Sequence, residues 1–238
     1  MNQNEAHRQH QESEYSRPYH HLIRETGEGI PYVSLLRLAR AALAPAPGDR
    51  ILDAGCGDGR LLSELSGSGA LLYGIDTSKP ALRYAAGFNP GAMLSLQDLT
   101  ALALADRTFT KVALIETLEH IPRETADRAL AEVRRVLVPG GTLVVSVPSK
   151  RLPQLAKHYA HFAPEELRGL LERHFTVAAL TGHDRDARAY RALVALVDNG
   201  LWHLRGGANA LLRYWFRKYM ECAPPDKARR LIAVCVKV

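Results

Sequence analysis

Nine residues at 51–59, Ile-Leu-Asp-Ala-Gly-Cys-Gly-Asp-Gly, combine one acid, Asp53, with three glycines, Gly55, Gly57 and Gly59. A second acid, Asp76, closes the next apolar run in Gly-Ile-Asp. A loop with so little side-chain bulk lets the backbone approach a ligand closely and adopt left-handed φ angles. The helix that starts after it offers unpaired N–H groups. A carboxylate at the tip of the neighbouring strand is suited to hold two ribose hydroxyls. These residues predict a site for a nucleoside-containing molecule.

The glycine spacing bears on which one. A dinucleotide site wants Gly-x-Gly-x-x-Gly, with the third glycine opening the helix beneath a pyrophosphate. Here Arg60 stands at that third place and the last glycine comes one residue early. The pattern resembles motif I of the class I S-adenosylmethionine-dependent methyltransferases, whose ligand has no phosphate. Asp53 then complements the ligand's positive sulfonium and ammonium groups, where it would repel a pyrophosphate. The resemblance implies S-adenosylmethionine as cofactor, with Gly55, Cys56, Gly57 and Gly59 along its methionine end and Asp53 near its amino group. Asp76 and Thr77 would meet the ribose. Gln97, Asp98 and Leu99 would meet the adenine, and Glu116 the inner edge of the pocket. Cys56 reads as a small packing residue, not a nucleophile.

The acceptor side begins at Ile115-Glu116-Thr117-Leu118-Glu119-His120-Ile121-Pro122. If this stretch is helical, Glu116, Glu119 and His120 share one face at i, i+3 and i+4. Two carboxylates so placed call for a cation or an arginine between them. A second cluster, Lys157-His158-Tyr159-Ala160-His161-Phe162-Ala163-Pro164-Glu165-Glu166-Leu167, resembles an element that follows the fifth strand in the same superfamily. Certain members, including small-RNA and some ubiquinone-pathway enzymes, hold a divalent metal on a matching set. By that resemblance Glu116, Glu119, His120 and His161 are candidate ligands for Mg²⁺, Mn²⁺ or Fe²⁺. Without a metal, His120 is the expected general base, with His158 and His161 as further catalytic candidates. Tyr19, His20 and His21 are expected to complete the pocket wall.

Alternating apolar and helical stretches must hold these groups. They predict strands near 50–54, 71–75, 92–96, 111–115, 142–147, 175–180 and 231–237, with helices near 32–44, 59–66, 79–86, 122–137 and 164–173. That alternation is the mark of an α/β, doubly wound, mainly parallel sheet. The resemblance adds seven strands in the order 3-2-1-4-5-7-6 with the seventh antiparallel, and an N-terminal helix over the cofactor. Residues 1–17 read as a disordered tail and 18–238 as one domain. Within it, 181–229 form a helical lid inserted before the last strand, with helices near 185–198, capped by Asn199-Gly200, and 208–221. Leu211, Leu212, Trp215, Phe216 and Tyr219 crowd the second of these. They suit packing on the domain or contact with an apolar or lipid-linked acceptor.

The 238 residues are 47% hydrophobic and 24% charged, as a globular chain with a sizeable core requires. A net charge of +6 leaves nucleic-acid binding open, but the basic residues are interspersed with acids and favour an ordinary basic enzyme. Cys56, Cys222 and Cys235 fit neither a metal spacing nor a disulfide framework. The polar N-terminus lacks a signal region, and no apolar run is long enough to span a membrane, which predicts a cytoplasmic protein. The expected activity is methyl transfer to oxygen or nitrogen of a small or medium-sized metabolite, whether sugar, quinol or natural product. The alternatives are a metal-dependent O-methyltransferase, a non-catalytic S-adenosylmethionine-binding partner, an NAD-dependent dehydrogenase and a nucleic-acid methyltransferase.

Overall fold

The computed structural model describes residues 15–197 and 207–238. The N-terminal tail up to residue 14 and the Asn199-Gly200 cap lie outside them. In chain order the elements are α1 (Tyr19–Leu22), α2 (Ile30–Leu43), β1 (Arg50–Ala54), α3 (Arg60–Leu65), β2 (Leu71–Asp76), α4 (Lys79–Phe88), β3 (Met93–Leu96) and β4 (Phe109–Ile115). There follow α5 (Arg123–Val136), β5 (Leu137–Pro148), α6 (Pro164–Glu172), β6 (Thr176–Arg185), α7 (Arg188–Val197), α8 (Gly207–Tyr219), β7 (Cys222–Ala223) and β8 (Ala228–Val236).

The strands form one sheet in the order β3-β2-β1-β4-β5-β8-β6-β7. The first five pair in parallel, and β8 runs antiparallel to both β5 and β6. This is the predicted doubly wound sheet with one short strand added at its edge. The two-residue β7 went unforeseen because two residues carry no periodicity. Alternation along each strand divides the core. Ile51, Ala113, Val144 and Ile232 face α2 and α3 through Leu36, Ala39, Leu43, Leu62 and Leu65. Their neighbours Leu52, Val112, Leu114, Leu143, Val145 and Leu231 face α5 and α6 through Leu130, Val133, Leu167 and Leu171. Helices therefore cover both faces, which leaves the carboxyl ends of the parallel strands as the open rim.

The insertion is more than two helices. β6 runs on to Arg185, five residues past its expected end, and its tip pairs with β7 through His183 and Cys222. Ile30, Tyr190, Val194, Leu212, Phe216 and Met220 form a separate buried cluster beneath α7 and α8. His183 fastens this unit to α2. Its ring is fully buried, with Nδ1 2.8 Å from the Glu221 carbonyl oxygen and Nε2 2.9 Å from that of Pro31. A neutral imidazole can donate to only one of them, and an imidazolium to both. Burial lowers the pKa of this ring, while the two carbonyls and Asp184 oppose the shift. Substituting His183→Phe removes the ring N–H that these carbonyls share and is expected to cost about 1–3 kcal/mol. A lowered urea midpoint at unchanged slope is the readout.

Candidate active site

At the rim, β1 ends and the glycine loop begins. The Gly55 and Cys56 N–H groups donate to the Ile75 carbonyl at 2.8 and 2.9 Å, which ties the loop to β2. Gly55 has φ 84°, and a Cβ there would sit 2.4 Å from Cγ2 of Thr117, so no larger residue fits. Gly57, at φ 53°, donates its N–H to Oδ2 of Asp76 at 2.9 Å. Ser78 N–H donates to Oδ1 of the same carboxylate at 2.8 Å. These backbone donors hold Asp76 at the strand tip. Burial still raises its pKa, because the donors offset only part of the desolvation. Cys56 packs in the loop, its thiol pushed well up by burial, as expected of a packing residue.

Asp53 is 2% exposed. Burial, with the Asp76 charge added, raises its pKa to about 8. A positive group beside such a carboxyl would recover the lost solvation. Beyond β3, Asp98 accepts from the N–H and hydroxyl of Thr100, both at 2.8 Å. Gln97 accepts from Ala103 N–H at 2.8 Å, which holds the loop in shape.

One cavity of about 390 Å³ joins these groups to the acceptor side. Its wall includes Asp53, Gly55, Cys56, Gly57, Asp76, Thr77, Gln97, Asp98 and Leu99, then Glu116, His120, Ile121, Thr125 and Lys157. The volume lies in the range of small-molecule sites. Of the predicted residues, Tyr19, His21, Gly59, Glu119, His158 and His161 lie outside that lining. Gly59 instead opens α3, where a Cβ would meet Nδ2 of Asn89 at 2.5 Å.

The acceptor segment departs from the helical expectation. Glu116 takes a left-handed φ of 51°, and only a single 3-10 turn, Leu118–His120, follows it. Glu116 therefore turns toward β5 and β8, accepting from the Ser146 hydroxyl at 3.0 Å and from Nε of Arg230 at 3.1 Å. The arginine that the paired carboxylates called for is Arg230. Glu119 is 1% exposed, with Oε2 taking no hydrogen bond among the described residues. Burial, then the Glu116 charge, pushes its carboxyl well above the usual range.

The histidines are ordered by backbone carbonyls. His161 Nδ1 lies 3.0 Å from the Leu152 oxygen, so Nδ1 carries the proton and Nε2 accepts from Nδ1 of His158 at 2.8 Å. His158 is thereby left with its lone pair on Nε2, and burial, then His120 and His161, lowers its pKa to about 3. His120 Nδ1 donates to the Lys157 oxygen at 3.1 Å, which places its lone pair on Nε2 as well. The four expected metal ligands do not converge: Glu116 is engaged by Arg230, and His161 supports His158. Among the described residues, Glu119, His120 and His158 do converge, with one ligand atom from each within 4.8 Å of the others.

The N-terminal segment closes the rim. His20 N–H donates to Oδ2 of Asp58 at 2.8 Å, and its ring stacks on Tyr32 with centroids 5.5 Å apart. His20 lines the cavity as expected. His21 stacks instead on Phe88, and Tyr19 is exposed. Tyr15 reaches over the glycine loop, where a Cβ on Gly57 would lie 2.6 Å from its hydroxyl. Sequence reasoning missed Tyr15 and Asp58, and called for an arginine beside Glu116 without identifying it as Arg230. For Asp58 the sequence offered only an acid between Gly57 and Gly59; its burial, which demands a partner, is visible only in the fold.

Residues 52–145 match a family model described as a methyltransferase domain. A ubiquinone biosynthesis O-methyltransferase from Ralstonia nicotianae is 34% identical over 43% of this chain and 44% of its own length. A demethylmenaquinone methyltransferase from Corynebacterium kroppenstedtii is 31% identical over 66% of this chain and 64% of its own. The chain spans about half the length of the curated relatives it matches, and nearer two thirds of the menaquinone one. Among solved structures, an S-adenosylmethionine-dependent methyltransferase from Thermotoga maritima superposes with a TM-score of 0.62 at 18% identity, covering 87% of this chain and 89% of that one. The N-methyltransferase NodS from Bradyrhizobium japonicum, solved with S-adenosylhomocysteine, gives 0.59 at 16% identity, covering 87% and 86%. Loop, carboxylate pair and sheet order agree with the methyltransferase-domain match over residues 52–145, and together they support the class I S-adenosylmethionine-dependent methyltransferase superfamily.

Proposed function

We propose that this protein transfers the methyl group of S-adenosylmethionine to a hydroxyl of a small or medium-sized acceptor of the phenol or quinol class. The observation that carries the reading is one cavity whose lining holds Asp53, Asp76 and His120 together. Asp76 holds the ribose, Asp53 the ammonium group, and Asp98 with Leu99 the adenine. The acceptor oxygen stands in line behind the methyl group, an alignment that supplies about 7–11 kcal/mol of barrier reduction. His120, with its lone pair on Nε2, takes the acceptor proton. His158 is too weak a base for this, and together with His161 it positions the neighbouring imidazole. The names of the relatives favour a quinol-type ring over a sugar.

A divalent ion is a second reading, favoured by the convergence of Glu119, His120 and His158 and by the partnerless buried Oε2 of Glu119. These three would hold the ion, which as a Lewis acid would polarise the acceptor hydroxyl. One assay tests both readings: S-adenosylhomocysteine release with a catechol acceptor, before and after chelation. Turnover unchanged by chelation supports the imidazole alone. Turnover lost and restored by Mn²⁺ supports the ion, and absence of product with phenolic acceptors contradicts the acceptor class.

A further inference from the structure

Helix α8 is apolar on two faces, and only one of them is packed. Leu212, Phe216 and Met220, just past its end, are buried in the cluster beneath the insertion. Leu211, Tyr214, Trp215 and Tyr219 recur at i, i+3, i+4 and i+8 on a second stripe, and are 57%, 55%, 41% and 48% exposed. Four large side chains left to water on one helix are more than scattered surface residues. Lys218 lies in the same stripe, with Nζ 5.4 Å from the Tyr214 ring centroid and 5.2 Å from that of Tyr219. No acid occurs in α8. Arg213 and Arg217 turn toward the domain, where Arg213 Nη1 donates to the Glu25 carbonyl at 3.2 Å and Arg217 Nη2 to the Glu25 carboxylate at 3.0 Å.

We propose that this outer stripe of α8 seats the protein on an anionic lipid surface. Tryptophan and tyrosine place an apolar ring and a polar tip at the level where headgroups meet acyl chains. Lysine keeps its stem along the rings while its charge reaches lipid phosphate. A second copy of the chain fits poorly. A two-fold contact through this stripe would bring both Lys218 ammonium groups together with no acid in α8 to offset them. Among the described residues no helix is long and apolar enough to cross a membrane, so the attachment is peripheral. The surface is independent of which acceptor the cavity takes.

Vesicle co-sedimentation of the full chain tests this. Binding is expected to vesicles of mixed phosphatidylglycerol and phosphatidylcholine, weakening with salt, and not to phosphatidylcholine alone. Trp215→Glu is expected to reduce the partition constant by about 10-fold or more, and Lys218→Ala by about 5-fold. Both side chains point away from the core, so an unchanged circular dichroism spectrum and melting temperature should accompany the loss. Wild-type protein that stays in the supernatant with anionic vesicles overturns the proposal. So does a Trp215→Glu variant that binds like wild type, or a wild-type dimer that the same substitution dissociates.

Discussion

Replacing His120 with alanine is expected to lower kcat by about 10²–10⁴-fold, the range for losing a positioned general base. Affinity for S-adenosylmethionine should stay within a few-fold, because the proposed reading assigns the ring to the acceptor and not to the cofactor. The tautomer argument sharpens the expectation. The Lys157 carbonyl fixes the proton on Nδ1, so the lone pair is on Nε2 before any acceptor arrives. Added imidazole should recover part of the lost rate in the alanine variant. A variant with full kcat and a raised KM would reassign His120 to acceptor binding. His158→Phe should cost less, since its proton affinity is already far below neutral.

Asp53→Asn is expected to move stability and binding in opposite directions. In the fold, burial and Asp76 raise the Asp53 pKa to about 8, far above the ordinary value for an aspartate in the unfolded chain. A group raised in this sense stabilises the fold fully below the unfolded pKa and loses that contribution as pH rises to the folded one. The wild-type protein without ligand should therefore fall behind the asparagine variant as pH rises from about 4 to 8. The gap levels off above that, at an order of a few kcal/mol. Thermal unfolding of both proteins across this range reads it directly. Binding carries the opposite sign. The cofactor's ammonium and sulfonium groups favour the ionised carboxylate, so wild-type affinity should rise from pH 6 to 8, and the variant should bind weakly throughout. Parallel melting curves at every pH would mean that Asp53 is not buried in the charged state at all.

Much of this was legible in the residues. Continuous apolar runs such as Val112–Ile115 and Leu143–Val145, separated by helical stretches, marked the strands, and the glycines after Asp53 together with Asp76 pointed to a ligand loop. The acceptor side was less legible, for a physical reason. The Glu116–Glu119 spacing reads as a helical face only if Glu116 is helical, and its left-handed φ breaks that face. The arginine that draws it aside sits 114 residues away on β8. His158 was in the right cluster, but its place beside Glu119 and His120 depends on the loop from 149 to 163, where Tyr159 N–H reaches the Glu119 carbonyl. No periodicity encodes such a contact. The strap formed by Tyr15 and His20 was hidden by polar composition, although Asp58 gives it a buried anchor.

The most direct test is titration calorimetry of the folded chain with S-adenosylhomocysteine, alongside an Asp76→Ala variant and NAD⁺. The account predicts a saturable one-site heat for the wild-type protein, a large loss of affinity in the variant, and no heat with the dinucleotide. Saturable binding of NAD⁺, with silence toward both S-adenosylhomocysteine and S-adenosylmethionine, would contradict it.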